Sequence, residues 1–202
     1  MKVIMVRPRY DDVTRTLNGW AGSAIQRISV SDDLTGAQAV EVNLRLSLEN
    51  NRTAELISFY GHGGVDHLIG HAQGTSSTGP VINTKGPGVL PPELSGRNLY
   101  AVACHAGAEL GPSLAAAGCR FVGYNMQFAY AGGFEGDFER VVNRGLIDWA
   151  TQGMTGTQIL DQLKAEWAAL RKDMSLGSRK GVKNSFVVAL AAHWNYDCAC
   201  SY

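Results

Sequence analysis

The stretch LISFYGHGG at residues 56–64, together with LYAVACHAG at residues 99–107, decides how this chain is expected to fold. Each stretch is an apolar run that ends in a reactive side chain followed by small residues, and Cys104 follows His62 by 42 residues. Short, nearly continuous apolar runs are typical of strands buried on both faces of a parallel sheet. Because open α/β sheets keep their sites at the carboxyl ends of the strands, we expect His62 and Cys104 to meet at one edge of the sheet.

The segments around these two stretches alternate between strand-like and helix-like patterns. Short apolar runs predict strands at residues 3–6, 28–30, 56–60, 99–103, 121–124 and 185–194. Helical spacing of apolar residues predicts helices at 13–24, 110–117, 134–149 and 159–170. The last of these helices begins at Thr155 or Thr157 as its N-cap. This alternation predicts an α/β fold, a three-layer sandwich around a mostly parallel, doubly wound sheet of about six strands, in a single domain spanning residues 1–202.

Three segments are less regular. Residues 34–49 fit both an alternating strand and a helix, and the crossover needed between two parallel strands favours the helix. Residues 71–98 are rich in Gly and Pro, which predicts a loop that overhangs the site. Residues 173–184 predict a second, basic loop.

The composition limits the classes of function. The chain has 202 residues, of which 45% are apolar and 18% charged, as expected of a globular domain with a sizeable core. Its formal net charge is zero, which argues against nucleic acid as a partner, because affinity for nucleic acid depends on a cationic surface. No run approaches the roughly 20 apolar residues needed to span a bilayer, and the first apolar run is too short for a secretion signal. We therefore expect no membrane partner and a cytoplasmic location, where the four cysteines would be free thiols.

Cys104 and His62 together predict nucleophilic chemistry. A thiol attacks a carbonyl well only as the thiolate, and a free cysteine, with a pKa of about 8.5, is mostly protonated at neutral pH. An imidazole within reach can take this proton and return it to a leaving amine, so His62 is predicted to be the general base and acid and Cys104 the nucleophile. Gly63 has no side chain to block its N–H, and the Cys104 N–H is expected to open the next helix. These two amides are predicted to form the oxyanion hole.

Other interpretations of the same residues exist. A lone Cys104 would be read as a small buried apolar residue, and the placement of His62 at a second strand end is what favours catalysis. A metal site is an alternative interpretation of the four histidines His62, His67, His71 and His105. Zinc ligands need to converge in compactly spaced pairs, and loop histidines are the simpler interpretation, so neither a metal nor another cofactor is expected. His105 is predicted to lie in the first turn of the helix that follows Cys104.

The C-terminal region carries three further soft donors, at His193, Cys198 and Cys200. They could form a zinc site or a redox pair. A tail with incidental thiols is the simpler interpretation. Cys119 precedes a predicted strand and is expected to be buried in the core.

The two motifs resemble the signatures of the caspase-like cysteine peptidases. Tyr60-Gly61-His62-Gly63 after one strand and Ala103-Cys104 after the next are similar to the His-Gly and Ala-Cys motifs of this clan. The clan includes caspases, metacaspases, legumains, gingipains, separase and bacterial CHAT domains. The order of the two residues, their separation and their strand-end placement all match, and the resemblance covers residues 3–125. Residues 17–24, LNGWAGSA, are loosely similar to the segment after the first strand of metacaspases and CHAT domains, but Ser23 stands where those proteins often have Asp.

The resemblance implies a caspase–haemoglobinase fold and endopeptidase activity through a Cys–His dyad without a required metal. The family's catalytic histidine carries over to His62, its catalytic cysteine to Cys104 and its oxyanion amide to Gly63. Bacterial relatives act in defence or regulated cell death. The resemblance therefore implies a thiol protease that cleaves a protein or peptide substrate and is gated by an activating protein partner.

Charged residues near the strand ends bear on substrate preference. A pocket for a basic side chain needs Asp or Glu, and a pocket for an acidic side chain needs Arg. Asp12 and Asp137 are candidates for an acidic pocket that accepts Arg or Lys, and Arg15, which follows the same first strand as Asp12, is the third predicted pocket residue. With that preference, the basic loop at residues 179–183 would be a self-cleavage site.

Two other functions fit the same motifs. Relatives with this fold include catalytically silent interaction modules, which would bind a partner and turn over nothing. A small-molecule amide hydrolase would use the same dyad on a different substrate class.

Overall fold

The computed structural model describes residues 1–72, 78–85 and 90–202. In chain order its strands are β1 (Lys2–Arg7), β2 (Ser29–Thr35), β3 (Ala54–Tyr60), β4 (His62–Gly63), β5 (His67–His71), β6 (Thr78–Asn83), β7 (Asn98–Val102), β8 (Arg120–Tyr124) and β9 (Ala199–Ser201). Its α-helices are α1 (Asp12–Ile25), α2 (Glu41–Asn50), α3 (Leu110–Ala116), α4 (Glu135–Gln152), α5 (Gly156–Ser175) and α6 (Ser185–Cys198). Short 3₁₀ turns cover Gly36–Gln38 and Pro92–Leu94.

Six strands form the main sheet, in the order β2-β1-β3-β7-β8-β9. All neighbouring pairs are parallel except β8 and β9, which run antiparallel. The prediction of an α/β fold around a mostly parallel sheet of six strands is thus confirmed. Strands β4, β5 and β6 form a separate antiparallel sheet.

Helices cover both faces of the main sheet and produce two apolar cores. One core contains large side chains of α1, α4 and α5, among them Trp20, Phe138, Trp149 and Trp167. The other contains the buried leucines of α2 and α3, which are Leu44, Leu48, Leu110 and Leu114. A sheet covered on both faces needs strands that are apolar on both faces, which explains why β3 and β7 read as continuous apolar runs.

Side-chain caps fix where two helices begin. The Asp11 side chain accepts from the Thr14 N–H while the Thr14 side chain accepts from the Asp11 N–H, and this capping box starts α1 directly after β1. Thr155, one of the two predicted caps, forms the same kind of box with Gln158 and starts α5.

The prediction of a strand at residues 185–194 is wrong. This segment is the first part of α6, which packs against α5. The run FVVALAA has no polar residue that would reveal a helical period, and a short apolar run of this kind cannot be assigned by periodicity alone. The sixth strand is instead β9. Despite this apolar run, no helix in the described ranges has the length and hydropathy needed to cross a membrane.

Two other irregular segments also differ from prediction. The predicted helix at 34–49 begins only at Glu41, because Ser29–Thr35 continues as β2 and Gly36–Gln38 is a 3₁₀ turn. The predicted loop at 71–98 contains β6 and the end of β5, so it is wrong there. Residues 73–77 and 86–89 of that predicted loop lie outside the described residues. Within β5, Gly70 marks a close approach of backbones, since a Cβ there would lie 2.1 Å from the Ala39 carbonyl oxygen.

Candidate active site

The strand order brings the ends of three strands side by side. Strand β3 pairs in parallel with β1 on one side and with β7 on the other. The segments that follow these three strands therefore leave the sheet at the same edge. Asp11 follows β1, His62 follows β3 and Cys104 follows β7. From β1 the chain adds β2 on one side of β1 and then adds β3 on the other side. The order in which strands are added therefore reverses between β1 and β3, and this reversal leaves a crevice between the two strand ends. Ligand sites lie at such crevices.

His62 and Cys104 line one small cavity. Its volume is about 30 Å³, and Val13, Leu17, Gly61, Val102, Ala103, Phe128 and Tyr130 complete its walls. Both reactive side chains are partly exposed to solvent. The structure therefore brings together the two residues that the sequence motifs predicted to meet.

Gly63 holds the His62 and Cys104 segments in contact. A Cβ added at Gly63 would lie 2.6 Å from the Cys104 carbonyl oxygen and 3.0 Å from the Ala103 Cβ. Only glycine allows two backbones to approach this closely without a shift. Gly63, the residue after His62, thus lies directly against the backbone of Cys104.

The turn after β4 is also fixed to the segment after Cys104. The Val65 carbonyl accepts hydrogen bonds from the N–H groups of Glu109 and Leu110, at 3.0 and 2.8 Å. Lys85 bridges Asp66 and Glu109 across the same gap, at 3.2 and 2.8 Å. These contacts hold the hairpin formed by β4 and β5, which begins at His62, against the start of α3.

Asp11 is the site residue whose role sequence reasoning missed. Its Oδ2 lies 2.8 Å from Nε2 of His62, and the Tyr10 ring lies beside the imidazole with centroids 5.9 Å apart. No role is assigned to Asp11 from the sequence alone. The signal that could have found it is its position in the loop between β1 and α1, because the loop after a parallel strand lies at the sheet edge where His62 and Cys104 are predicted.

The Asp11 carboxylate divides its two oxygens between two tasks. Oδ1 accepts from the Thr14 N–H and hydroxyl, both at 2.8 Å, and so caps α1. Burial acts to raise the pKa of Asp11, but the hydrogen bonds from Thr14 and His62 outweigh it, and the pKa lies below the ordinary value of an aspartate. The carboxylate is therefore ionised at neutral pH. The Asp11 carboxylate is hydrogen-bonded to Nε2 of His62, whereas Nδ1 of that ring has no hydrogen-bond partner in the described part of the chain.

Cys104 carries its proton in the resting protein. Burial raises the pKa of the Cys104 thiol, and the thiol makes only a weak contact, 4.0 Å long, to the Phe128 carbonyl oxygen. All four cysteines are free thiols. A protonated thiol is a poor nucleophile, so this site needs a base during attack.

The predicted oxyanion hole needs one correction. Helix α3 begins only at Leu110, so the Cys104 N–H does not open it, and the N–H groups of Glu109 and Leu110 at its start donate to the Val65 carbonyl. The Cys104 N–H nevertheless has no acceptor among the described residues.

The Gly63 N–H faces away from the hairpin. The Gly64 N–H donates to the His67 carbonyl at 2.9 Å, and antiparallel pairs alternate between bonded and non-bonded types. The neighbouring pair, Gly63 with Leu68, is therefore of the non-bonded type, and the Gly63 N–H points away from β5.

His105 adopts an unusual backbone conformation directly after Cys104. Its φ is +59°, a value that residues with side chains rarely adopt, and it lies in a turn rather than in the predicted first helical turn. Its N–H donates to the Met126 carbonyl at 2.9 Å, and its carbonyl accepts from Ala108 at 2.9 Å. Strained residues of this kind cluster at functional sites, where surrounding contacts hold them.

The three predicted pocket residues do not line the cavity. Asp12 is almost fully exposed and pairs with Arg15 on the same helix. Asp137 forms two hydrogen bonds with Arg179, at 2.8 and 2.9 Å, on α4. The same contacts hold Arg179 of the predicted self-cleavage loop against the body of the protein.

The remaining histidines and cysteines do not assemble into a metal centre. His67 bonds to Asp66 at 2.6 Å, and the His71 ring packs edge-on against Tyr10. Across residues 1–72, 78–85 and 90–202, no group of three His, Cys, Asp or Glu side chains is arranged to hold a metal ion. Cys198 and Cys200 pack into the cores on opposite faces of the sheet rather than in a tail, and Cys119 is buried in the core.

No protein-family model matches this chain, and no curated protein matches its sequence. The resemblance to caspase-like peptidases therefore rests on the two motifs and on the placement of their residues.

Replacing Gly63 by Ala is expected to disturb the site selectively. The new methyl group would meet the Cys104 carbonyl, and overpacking of this kind costs about 1–3 kcal/mol. We expect a lower melting temperature and an altered rate of Cys104 alkylation by iodoacetamide, both measured on the purified protein.

Gly19→Ala is the matched control. Gly19 lies exposed in α1 with nothing within 4 Å of the position of the new methyl group, so this change is expected to stabilise the protein by about 0.5–1 kcal/mol. Equal effects of the two substitutions would contradict the proposed close approach at Gly63.

The pH dependence of Cys104 alkylation is expected to be shifted upward. Because burial raises the pKa of this thiol, its reaction with iodoacetamide should keep accelerating above the pH at which a free thiol such as glutathione levels off. Mass spectrometry of the modified peptide measures Cys104 separately from the other cysteines. A midpoint at or below that of glutathione would show that the thiolate forms in the resting site.

Proposed function

We propose that this chain is a cysteine endopeptidase in which Cys104 is the nucleophile and His62 the general base and acid. The observation that carries the proposal is the shared cavity of these two residues at adjacent strand ends, with the imidazole held by Asp11. A nucleophile, a base and a group that orients the base are the three parts that activated nucleophiles use.

Acylation would begin with proton transfer. Nδ1 of His62 accepts the thiol proton as the Cys104 sulfur attacks the carbonyl carbon of the scissile peptide bond, and a tetrahedral oxyanion forms. The amides of Gly63 and Cys104 donate to this oxyanion. The imidazolium then gives its proton to the departing amine as the C–N bond breaks, which leaves a thioester on Cys104.

Deacylation would repeat the sequence with water. Nδ1 of His62 takes a proton from a water molecule, the resulting hydroxide attacks the thioester carbonyl, and the C–S bond breaks. The thiolate recovers the proton from the imidazolium, so the carboxylic acid product leaves and the enzyme returns to its starting protonation state.

Asp11 would act through His62. An ionised carboxylate on Nε2 keeps the proton there, so Nδ1 is the free acceptor in the neutral ring. The same negative charge stabilises the imidazolium that forms during attack. Because Cys104 starts protonated, this stabilisation matters more here than in a site with a preformed thiolate.

The proposal extends to family and context. The His-Gly and Ala-Cys motifs at the carboxyl ends of β3 and β7 support a caspase–haemoglobinase fold. The resemblance to bacterial members supports a cytoplasmic thiol protease that acts on a protein substrate in defence or cell death, gated by an activating protein partner.

Electrophilic peptide probes test the activity. We expect a peptidyl acyloxymethyl ketone to label Cys104, Cys104→Ala to abolish labelling and His62→Ala to slow it at least 100-fold, because general acid–base groups contribute about 10²–10⁴-fold. Peptide-library cleavage followed by mass spectrometry measures turnover.

Cys119→Ala is the control, because Cys119 is buried in the core and its removal should leave labelling unchanged. Labelling at another cysteine, or labelling that survives His62→Ala at full rate, would overturn the dyad. Labelling without cleavage of any peptide in the library would favour a silent interaction module.

Asp11→Asn separates the positioning role of Asp11 from its role as a helix cap. The amide oxygen can still accept from Thr14, whereas the amide NH₂ would donate to Nε2 and leave Nδ1 protonated, the wrong tautomer for a base. We expect kcat/KM to fall by about 10⁴-fold, the size of the loss that the same change causes in a Ser-His-Asp triad, with little change in thermal stability. The pH–rate profile is the diagnostic measurement, since a merely structural role would lower activity at all pH values without moving its acid limb.

A further inference from the structure

Three parts of the fold supply the apolar side chains that line the cavity beside Cys104. Val13 and Leu17 come from α1, Val102 and Ala103 from the end of β7, and Phe128 with Tyr130 from the segment after β8. These side chains are aliphatic or aromatic. In a peptidase whose nucleophile lines this cavity, the substrate side chain next to the attacked carbonyl is the group placed to enter it.

The charges near the cavity are already engaged elsewhere. Among the described residues that line it, the titratable side chains are those of His62, Cys104 and Tyr130. Asp11 is bound to His62 and Thr14, and Asp12 is paired with Arg15 at the surface. A charged substrate side chain would therefore enter without an opposite charge to pair with, which is strongly unfavourable in an apolar site.

The size of the cavity sets a second limit. Its 30 Å³ compares with roughly 10–15 Å³ for one enclosed water on the same measure, so it accepts a group of a few atoms. The walls are also held in place. Leu17 is only 2% exposed, and the Phe128 ring packs against Trp20, Tyr124 and Trp167 with centroid separations of 6.4, 4.9 and 6.2 Å.

We propose that this site selects a small, uncharged residue of the size of alanine on the acyl side of the cleaved bond. The inference rests on the proposed function and departs from the acidic pocket expected from Asp12 and Asp137. Val13, at the start of α1, is the residue that limits the size of the pocket on the side of α1 nearest solvent, because it is only partly buried whereas Leu17 is packed in the core.

A panel of acyloxymethyl ketone probes that differ only in this residue tests the proposal. We expect the rate of Cys104 labelling to be at least 10-fold higher with Ala than with Arg, Asp or Phe. Faster labelling by the Arg or Asp probe would overturn the small, uncharged pocket and leave the peptidase intact. Failure of every probe to label Cys104 would remove the proposed function and this inference with it.

The variant Val13→Ala tests the assignment of the pocket itself. Removal of two methyl groups from its wall should raise labelling by a Leu probe relative to the Ala probe at least five-fold. Val30→Ala is the matched control, because Val30 is also partly buried and packs on the same core, but lies on β2. An unchanged ratio in folded Val13→Ala, or an equal change in Val30→Ala, would overturn the pocket.

Discussion

The parallel pairing of β3 with β1 and β7 is the constraint on which the site depends. Val6 faces Phe59 in one pair, and Phe59 faces Ala101 in the other, so the three strands end at nearly the same level, about 4.8 Å apart. The next residues of each chain must then share one edge. Asp11, His62 and Cys104 occupy that edge because the order β1-β3-β7 puts the histidine in the middle, between its carboxylate partner and the thiol.

Burial holds the Cys104 side chain in place and also makes its thiol harder to ionise. The apolar walls that hold Cys104 raise the pKa of its thiol, whereas the hydrogen bonds at the more exposed end of α1 lower the pKa of Asp11. The two groups thus differ in charge at neutral pH, and His62 lies between a permanent negative charge and a neutral proton donor. The left-handed backbone at His105 adds local strain next to the nucleophile, held by hydrogen bonds to Met126 and Ala108.

Local sequence patterns predicted the elements that frame the site and failed where the pattern itself was ambiguous. The apolar runs at Leu56–Tyr60 and Leu99–Val102 have the length and composition of buried strands, and both form strands. The run at Ser185–Trp194 has the same local appearance and forms a helix, because packing against α5 rather than backbone preference decides its state. Strands β5 and β6 escaped prediction since Gly70 and Pro80 lie within them, and turn-forming residues hide short strands.

The sequence by itself determined the α/β class and the two strand ends, and it predicted the pair of reactive residues, because hydrophobic periodicity and strand-end motifs act over a few neighbouring positions. Only the tertiary structure decided that Asp11 holds His62, that Asp137 binds Arg179 and that apolar side chains from three distant segments surround Cys104. Those relations join residues separated by tens of positions in the chain. They follow from strand order and side-chain packing, which no local pattern of residues records.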